Sequence, residues 1–206
     1  MLYAVGHSAV WTGTPSYVEL VNAQRIKSCH FYFYTVLGAY YEVTHQQFTS
    51  EDKIIFNFGI NDCIYRKTKY MQLPIFKGLI EAVRHDDPAA SKYFQKKLDA
   101  LLCKQPEELL QLFSFEYFRE LTQQIFKPFH GRGCVVGVAW FPKSHPTFHY
   151  ATVEAEHTNQ ILKESAAECD LQFLDMWHPP EYTKDGSHYT LDGHLLIANY
   201  VKENLL

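Results

Sequence analysis

The stretch KIIFNFGINDC, Lys53 to Cys63, runs straight from an apolar segment into a polar one. KIIFNFG reads as a buried strand from Lys53 to Gly59: it is short, almost continuously apolar, and closed by glycine. An amide and a carboxylate follow at once, Asn61 and Asp62. Their bland reading is a turn. The sharper one gives the Asn61 side-chain amide a role as hydrogen-bond donor at the mouth of the strand.

Outward from this stretch the chain alternates apolar runs with helical patterns. Strands are expected at LYAV (Leu2 to Val5), HFYFYTVLG (His30 to Gly38), CVVGVAWF (Cys134 to Phe141, ended by Pro142) and LQFLDM (Leu171 to Met176). Helices are expected at PSYVELVNAQ (Pro15 to Gln24), at HTNQILKESAAEC (His157 to Cys169) and over the tail from Leu191, with Thr190 as its N-cap. Nearly continuous apolar strands alternating with helices imply a five-stranded parallel sheet covered on both faces. Such sheets hold ligands beyond the carboxyl ends of their strands. The polar features of interest all fall there.

Residues 66–129 break the rhythm. PIFKGLIEAVRHDD, PAASKYFQKKLDALLCKQ and PEELLQLFSFEYFRELTQQIF are helical in period, so an α-helical insertion is expected between strands three and four. The last of these carries Leu109, Leu110, Leu112, Phe113, Phe115, Tyr117, Phe118, Leu121 and Ile125, too apolar for one buried face. Packing into the core is the plain explanation; a lid or a subunit contact is the alternative. With no repeats or linkers, residues 1–206 read as a single domain.

Composition narrows the partners. The net charge of −4, with no cluster of Lys or Arg, argues against nucleic acid. Five cysteines are scattered without zinc spacing, as expected of reduced thiols. Cys63 reads as a small buried thiol. Met1 leads into LYAVG without a signal-peptide pattern, and no run approaches a membrane span, which points to a soluble cytoplasmic protein. Among eleven histidines only His145 and His149 have a helical ligand spacing, and Pro146 interrupts it, so no metal is expected. Asp192 and His194 form a second acid–histidine pair inside the tail helix, where capping and surface roles are commoner.

Three motifs carry chemistry: VGHS with Ser8, GIND with Asn61, and DGSH with Asp185 and His188. A serine hydroxyl attacks well only when a base takes its proton, and histidine suits that task near neutral pH. The second ring nitrogen needs an acceptor, and Asp185 lies three residues before His188. The oxyanion that forms needs donors: the Asn61 amide, the Ser8 N–H and a glycine N–H, for which Gly38 is the candidate. This chemistry needs no cofactor.

In these blocks the chain resembles the SGNH hydrolase superfamily, the GDSL-type esterases and lipases. VGHS stands for the serine block, LGA supplies the glycine, and GINDC and DGSH match GxND and DxxH in full. The resemblance spans essentially the whole chain. It implies a three-layer α/β/α sandwich, flavodoxin-like in outline. Ser8 would be nucleophile, His188 base, Asp185 its partner, and Ser8, Gly38 and Asn61 the oxyanion hole. His7 stands where the family has aspartate. Aromatic residues follow several predicted strands. Of these, Tyr40, Trp140 and Trp177, with His7, are candidates for substrate contact. The expected activity is hydrolysis of a small acyl ester, acetyl above all, of a carbohydrate or other small alcohol. O-acyl transfer, a lipase or thioesterase, and a catalytically inactive binding fold stand as alternatives. The oligomeric state is left open.

Overall fold

The computed structural model describes residues 1–6, 15–26, 36–63, 65–67, 82, 89, 93, 109–111, 114–139, 152–177, 180–184 and 188–206. Five strands form one sheet: β1 (Leu2–Gly6), β2 (Gln24–Arg25), β3 (Lys53–Asn57), and, past a separate ribbon, β6 (Gly133–Val136) and β7 (Gln172–Leu174). Their order is β2-β1-β3-β6-β7 and every pairing is parallel. Counted along the chain this is the 2-1-3-4-5 order of a flavodoxin-like doubly wound sheet.

Successive side chains of a strand leave on opposite faces, so each strand serves two cores. On one face Val5, Ile54, Phe56 and Val135 are buried against α2 (Val36–Thr44), α4 (Phe115–Phe126) and α5 (Thr152–Glu168). On the other, Ala4, Ile55, Cys134, Val136 and Leu174 are buried against α1 (Tyr17–Leu20) and α6 (Leu191–Asn204). The result is a three-layer α/β/α sandwich. Part of the high aromatic content has a structural use in the first of these cores. Phe56 packs on Phe126 at 4.7 Å between centroids and edge-on to Phe129 at 5.7 Å. Burying one such ring contributes about 1.5–3 kcal/mol.

Four strands fall where the sequence places them, but the second does not. The edge strand is Gln24–Arg25, a pair too short to carry a periodic signal. In the run read as a strand from His30 to Gly38, Val36–Thr44 is helical and 30–35 lie outside the described residues. The missed signal is the helical spacing of Val36, Ala39 and Val43, all buried. The β-branched and aromatic content that suggested a strand reflects burial as much as backbone preference. Similarly, the helix expected over Pro15–Gln24 is only Tyr17–Leu20.

The long helix expected up to Phe126 is also divided. Leu109–Gln111 forms β5, paired antiparallel with β4 (Tyr65–Lys67) in a two-stranded ribbon. Ser114 then caps α4, its Oγ accepting from the Tyr117 N–H at 3.2 Å. This division removes the excess of apolar residues. What remains in α4 is an ordinary amphipathic stripe, with Phe118, Leu121, Thr122, Ile125 and Phe126 buried. The rest of 66–108 lies outside the described residues apart from isolated positions. No helix among the described residues is long and apolar enough to cross a membrane.

The start of β3 is held electrostatically. The buried Asp52 carboxylate accepts from the Met1 ammonium and from the Thr49 N–H, both at 2.7 Å. These bonds, the ammonium first, lower its pKa from 3.8 to about 2. A depressed carboxylate pKa contributes stability that is present above the unfolded-state value and lost as the pH falls through the folded one. Asp52→Asn is therefore expected to unfold at lower urea concentration at pH 7. It is also expected to lose less stability than the wild type between pH 3.8 and about 2. Parallel urea midpoints across that window check it, and identical acid slopes would refute it.

Candidate active site

In a sheet of this order the natural crevice lies where the chain's winding reverses, beyond the carboxyl ends of β1 and β3. These two strands pair in register to their last residues, Gly6 opposite Asn57. The chain leaving Gly6 enters the serine motif, and the chain leaving Asn57 enters GIND. Two of the three motifs thus begin side by side.

Beyond Asn57 the chain turns at Gly59, whose φ is +115°. A Cβ there would stand 3.1 Å from both Thr158 Cγ2 and Val138 Cγ2 and 3.3 Å from Leu162 Cδ1. The backbone angle calls for glycine, and any Cβ would also make these three side chains give way by a few tenths of an ångström. One helical turn follows, α3 (Ile60–Cys63), which carries Asn61. The Gly59 carbonyl accepts from the N–H groups of Asp62 and Cys63 at 3.1 and 3.2 Å. The turn reading of GIND is therefore correct as far as it goes.

The carboxylate of the motif has its own task. Both Asp62 oxygens accept from the Val36 N–H, at 3.0 and 3.1 Å, and Asp62 is buried. The acid caps the start of α2, where N–H groups lack intrahelical acceptors and negative charge is favoured. Gly38 lies two residues further on, in the first turn of α2, and is buried. It is not at the end of a strand, as the sequence suggested. The Asp62 bond nevertheless ties the helix that carries Gly38 to the helix that carries Asn61. Cys63 is the buried thiol expected: its Sγ donates to the Gly59 carbonyl at 3.1 Å and to Thr158 Oγ1 at 3.2 Å. Burial pushes its pKa far up, so it stays protonated.

Of the third motif, which falls between β7 and α6 in the chain, the structure describes His188 and the flanking residues. Thr183 and Tyr189 form an antiparallel bridge, the Lys184 N–H donates to the His188 carbonyl at 2.8 Å, and the Thr190 N–H donates to Tyr182 at 2.9 Å. Lys184 and His188 are thereby held together, and His188 is half-buried; 185–187 lie outside the described residues. Thr190 caps α6 as expected, accepting from the Gly193 N–H at 3.2 Å. Gly193 is needed here because a Cβ would come within 2.3 Å of the Tyr182 carbonyl oxygen.

Ser8, His7, Asp185 and Trp140 lie outside the described residues. Tyr40 lies in α2 and packs against the core rather than following a strand. Trp177 does follow β7. It is half-buried, its N–H donates to Asp175 Oδ1 at 2.9 Å, and it lines a cleft with Glu156, Lys163 and Phe173. His194 has neither the surface role nor the capping of its own helix expected of it: it is buried, and its Nδ1 accepts from the Tyr17 N–H at the start of α1 at 3.2 Å.

Sequence reasoning passed over Asn57 and Tyr189, and it read Asp62 only as part of a turn. Asn57 Nδ2 donates to Tyr189 Oη at 3.0 Å, and both side chains are buried. The available clue was an asparagine inside an otherwise apolar strand, since buried polar groups need partners.

No protein-family model and no curated protein matches the sequence. Solved structures do match in shape. A lipase/acylhydrolase from Enterococcus faecalis aligns at TM-score 0.60 and 12% identity, over 100% of this chain and 96% of that one. An acetyl xylan esterase from Geobacillus stearothermophilus aligns at TM-score 0.53 and 11% identity, over 98% of this chain and 93% of that one. A GDSL-like lipase from Bacteroides thetaiotaomicron aligns at 0.50 and 14%, over 99% and 86%. The chain has the SGNH-hydrolase fold.

Removing the Asp62 carboxylate leaves the start of α2 without its acceptor. Asp62→Ala is expected to lower stability by about 1–2 kcal/mol, the range of a lost helix cap. Asp62→Asn, which keeps one acceptor oxygen, should lose less. Urea midpoints measure both, and equal losses would show that the capping bond is not what matters.

Proposed function

We propose that the protein is a serine esterase of SGNH type that removes a small acyl group, acetyl above all, from a carbohydrate or other small alcohol. Ser8 attacks the ester carbonyl while His188 takes its proton, and Asp185 holds the imidazole by its other nitrogen. The Asn61 amide and the N–H groups of Ser8 and Gly38 receive the negative charge on the carbonyl oxygen. The acyl-enzyme is then hydrolysed by water that His188 activates.

The observation that carries this reading is the convergence of the motif flanks. Gly6, two residues before Ser8, pairs with Asn57; Asn57 in turn bonds Tyr189, the neighbour of His188. Three segments distant in sequence therefore start from one place at the carboxyl edge of the sheet. The esterases and lipases among the solved neighbours support ester hydrolysis as the reaction class. The half-buried Trp177, amid polar side chains, is suited to a sugar ring, which favours a carbohydrate alcohol.

Hydrolysis of p-nitrophenyl acetate should exceed that of the octanoate, and Ser8→Ala should abolish both the activity and labelling by a fluorophosphonate. Asn61→Ala should lower kcat by about two to three powers of ten while leaving the fold intact. A wild type no faster than Ser8→Ala, with no labelling, would end the esterase reading.

A further inference from the structure

Asn57 and Tyr189 form a buried polar pair that the chemistry above leaves unused. Asn57 is the last residue of β3; its side chain shares the face of Ile55 and is 1% exposed. Its Nδ2 donates to Tyr189 Oη at 3.0 Å and, at 3.4 Å, to the carbonyl of Val136, the last residue of β6. Tyr189 is 2% exposed and held on several sides. Its ring packs edge-on to Tyr17 and His194, at 6.5 and 5.6 Å, and its Cβ lies against Gly193.

Such a bond is a costly way to gain stability. A neutral buried hydrogen bond contributes little net, and an apolar pair of the same shape can do as well. What apolar packing does not supply is direction. The Asn57 amide has one partner in the sheet and one in the loop, so it fixes a distance between them. The sheet end is in register with Gly6, just before the serine motif; the loop end is the residue after His188. The Lys184 N–H, bonded to the His188 carbonyl, holds His188 from its other side.

We propose that Asn57 and Tyr189 are positioning residues whose hydrogen bond sets the placement of His188 relative to the ends of β1 and β3, and hence to Ser8. This rests on the esterase reading. The pair touches neither substrate nor reacting atoms and acts through the base.

The test is a double-mutant cycle on the full chain with p-nitrophenyl acetate. Tyr189→Phe removes only the hydroxyl, and Asn57→Leu replaces the amide by an apolar group of similar size. Each is expected to lower kcat about tenfold with KM changed by less than about twofold, as misplacement of a catalytic group does. The double variant should be no slower than the slower single one, because both remove the same bond. Thermal midpoints show that the fold survives. A second readout needs no turnover: the imidazole NMR resonances of His188 should move in Tyr189→Phe in the Ser8→Ala background. If the wild type hydrolyses no ester but those resonances move, the esterase reading fails and the restraint on His188 stands. Full activity in both single variants, additive losses, or unmoved resonances would each overturn the proposal.

Discussion

Gly59 is the constraint on which the carboxyl edge of the sheet depends. Its φ of +115° is a conformation that L side chains rarely adopt, and a Cβ would crowd Thr158, Val138 and Leu162. The two requirements have a common origin. β3 is central in the sheet, so the chain leaving it turns close to α5, where a side chain would press on Thr158, Val138 and Leu162. Because the turn is so tight, α3 begins at the next residue, and Asn61 and Asp62 fall within one helical turn. The placement of Asn61 and the capping of α2 are both consequences of that bend.

The same short stretch works on both faces of the sheet. Asn57 reaches Tyr189 on the side of α1 and α6, while Asp62 reaches Val36 at the start of α2 on the other side. Both side chains are buried, and the Asn57 Nδ2 group and the Asp62 carboxylate are each paired with a group from a distant segment, while Asn57 Oδ1 has no partner among the described residues. A buried donor or acceptor without a partner costs about 1–3 kcal/mol, so a misplaced segment is penalised twice, by lost packing and by an orphaned polar group. Apolar cores tolerate small slips of one layer on another. A hydrogen bond of 3 Å does not. This difference explains why polar pairs, rather than more leucine, stand next to the candidate site.

Legibility in the sequence followed the range of the forces involved. The long periodic segments were readable: four of the five sheet strands, the helix now seen as α5, and the tail helix with its Thr190 cap. The edge strand Gln24–Arg25 was not, because two residues have no period and its existence depends on β1 lying beside it. The misreading of Val36–Thr44 has the opposite cause. Its helical stripe was present, but an aromatic run before it and a glycine within it imitated a strand and its stop. Leu109–Gln111 was taken into a helix because its β-pairing partner is more than forty residues away in sequence, at Tyr65–Lys67. As for the candidate site, the sequence offered the motif residues as expectations, and of these Ser8 and Asp185 lie outside the described residues. The supporting residues were not legible, since Asn57, Asp62 and Tyr189 gain meaning only from partners the fold brings in.

The serine segment illustrates how much the site depends on such partners. Its near end is fixed at Gly6 by pairing with Asn57, and its far end at Tyr17, whose N–H donates to His194 Nδ1 in α6. An accepting Nδ1 requires the neutral imidazole with its proton on Nε2; a doubly protonated ring would set a donor against a donor. His194 in turn sits one helical turn into α6, behind the Thr190 cap and the close approach of Gly193 to Tyr182. The start of the chain is therefore anchored by its end. The described residues that flank the serine motif and the DGSH motif are thus bonded to segments distant in sequence, Gly6 to β3, Tyr17 to α6 and Tyr189 to β3. The bonds from Gly6 to Asn57, from Asn57 to Tyr189 and from Tyr17 to His194 are complete together only when β1 and β3 have paired and α6 has docked, which couples the flanks of the candidate site to the folding of the whole sandwich.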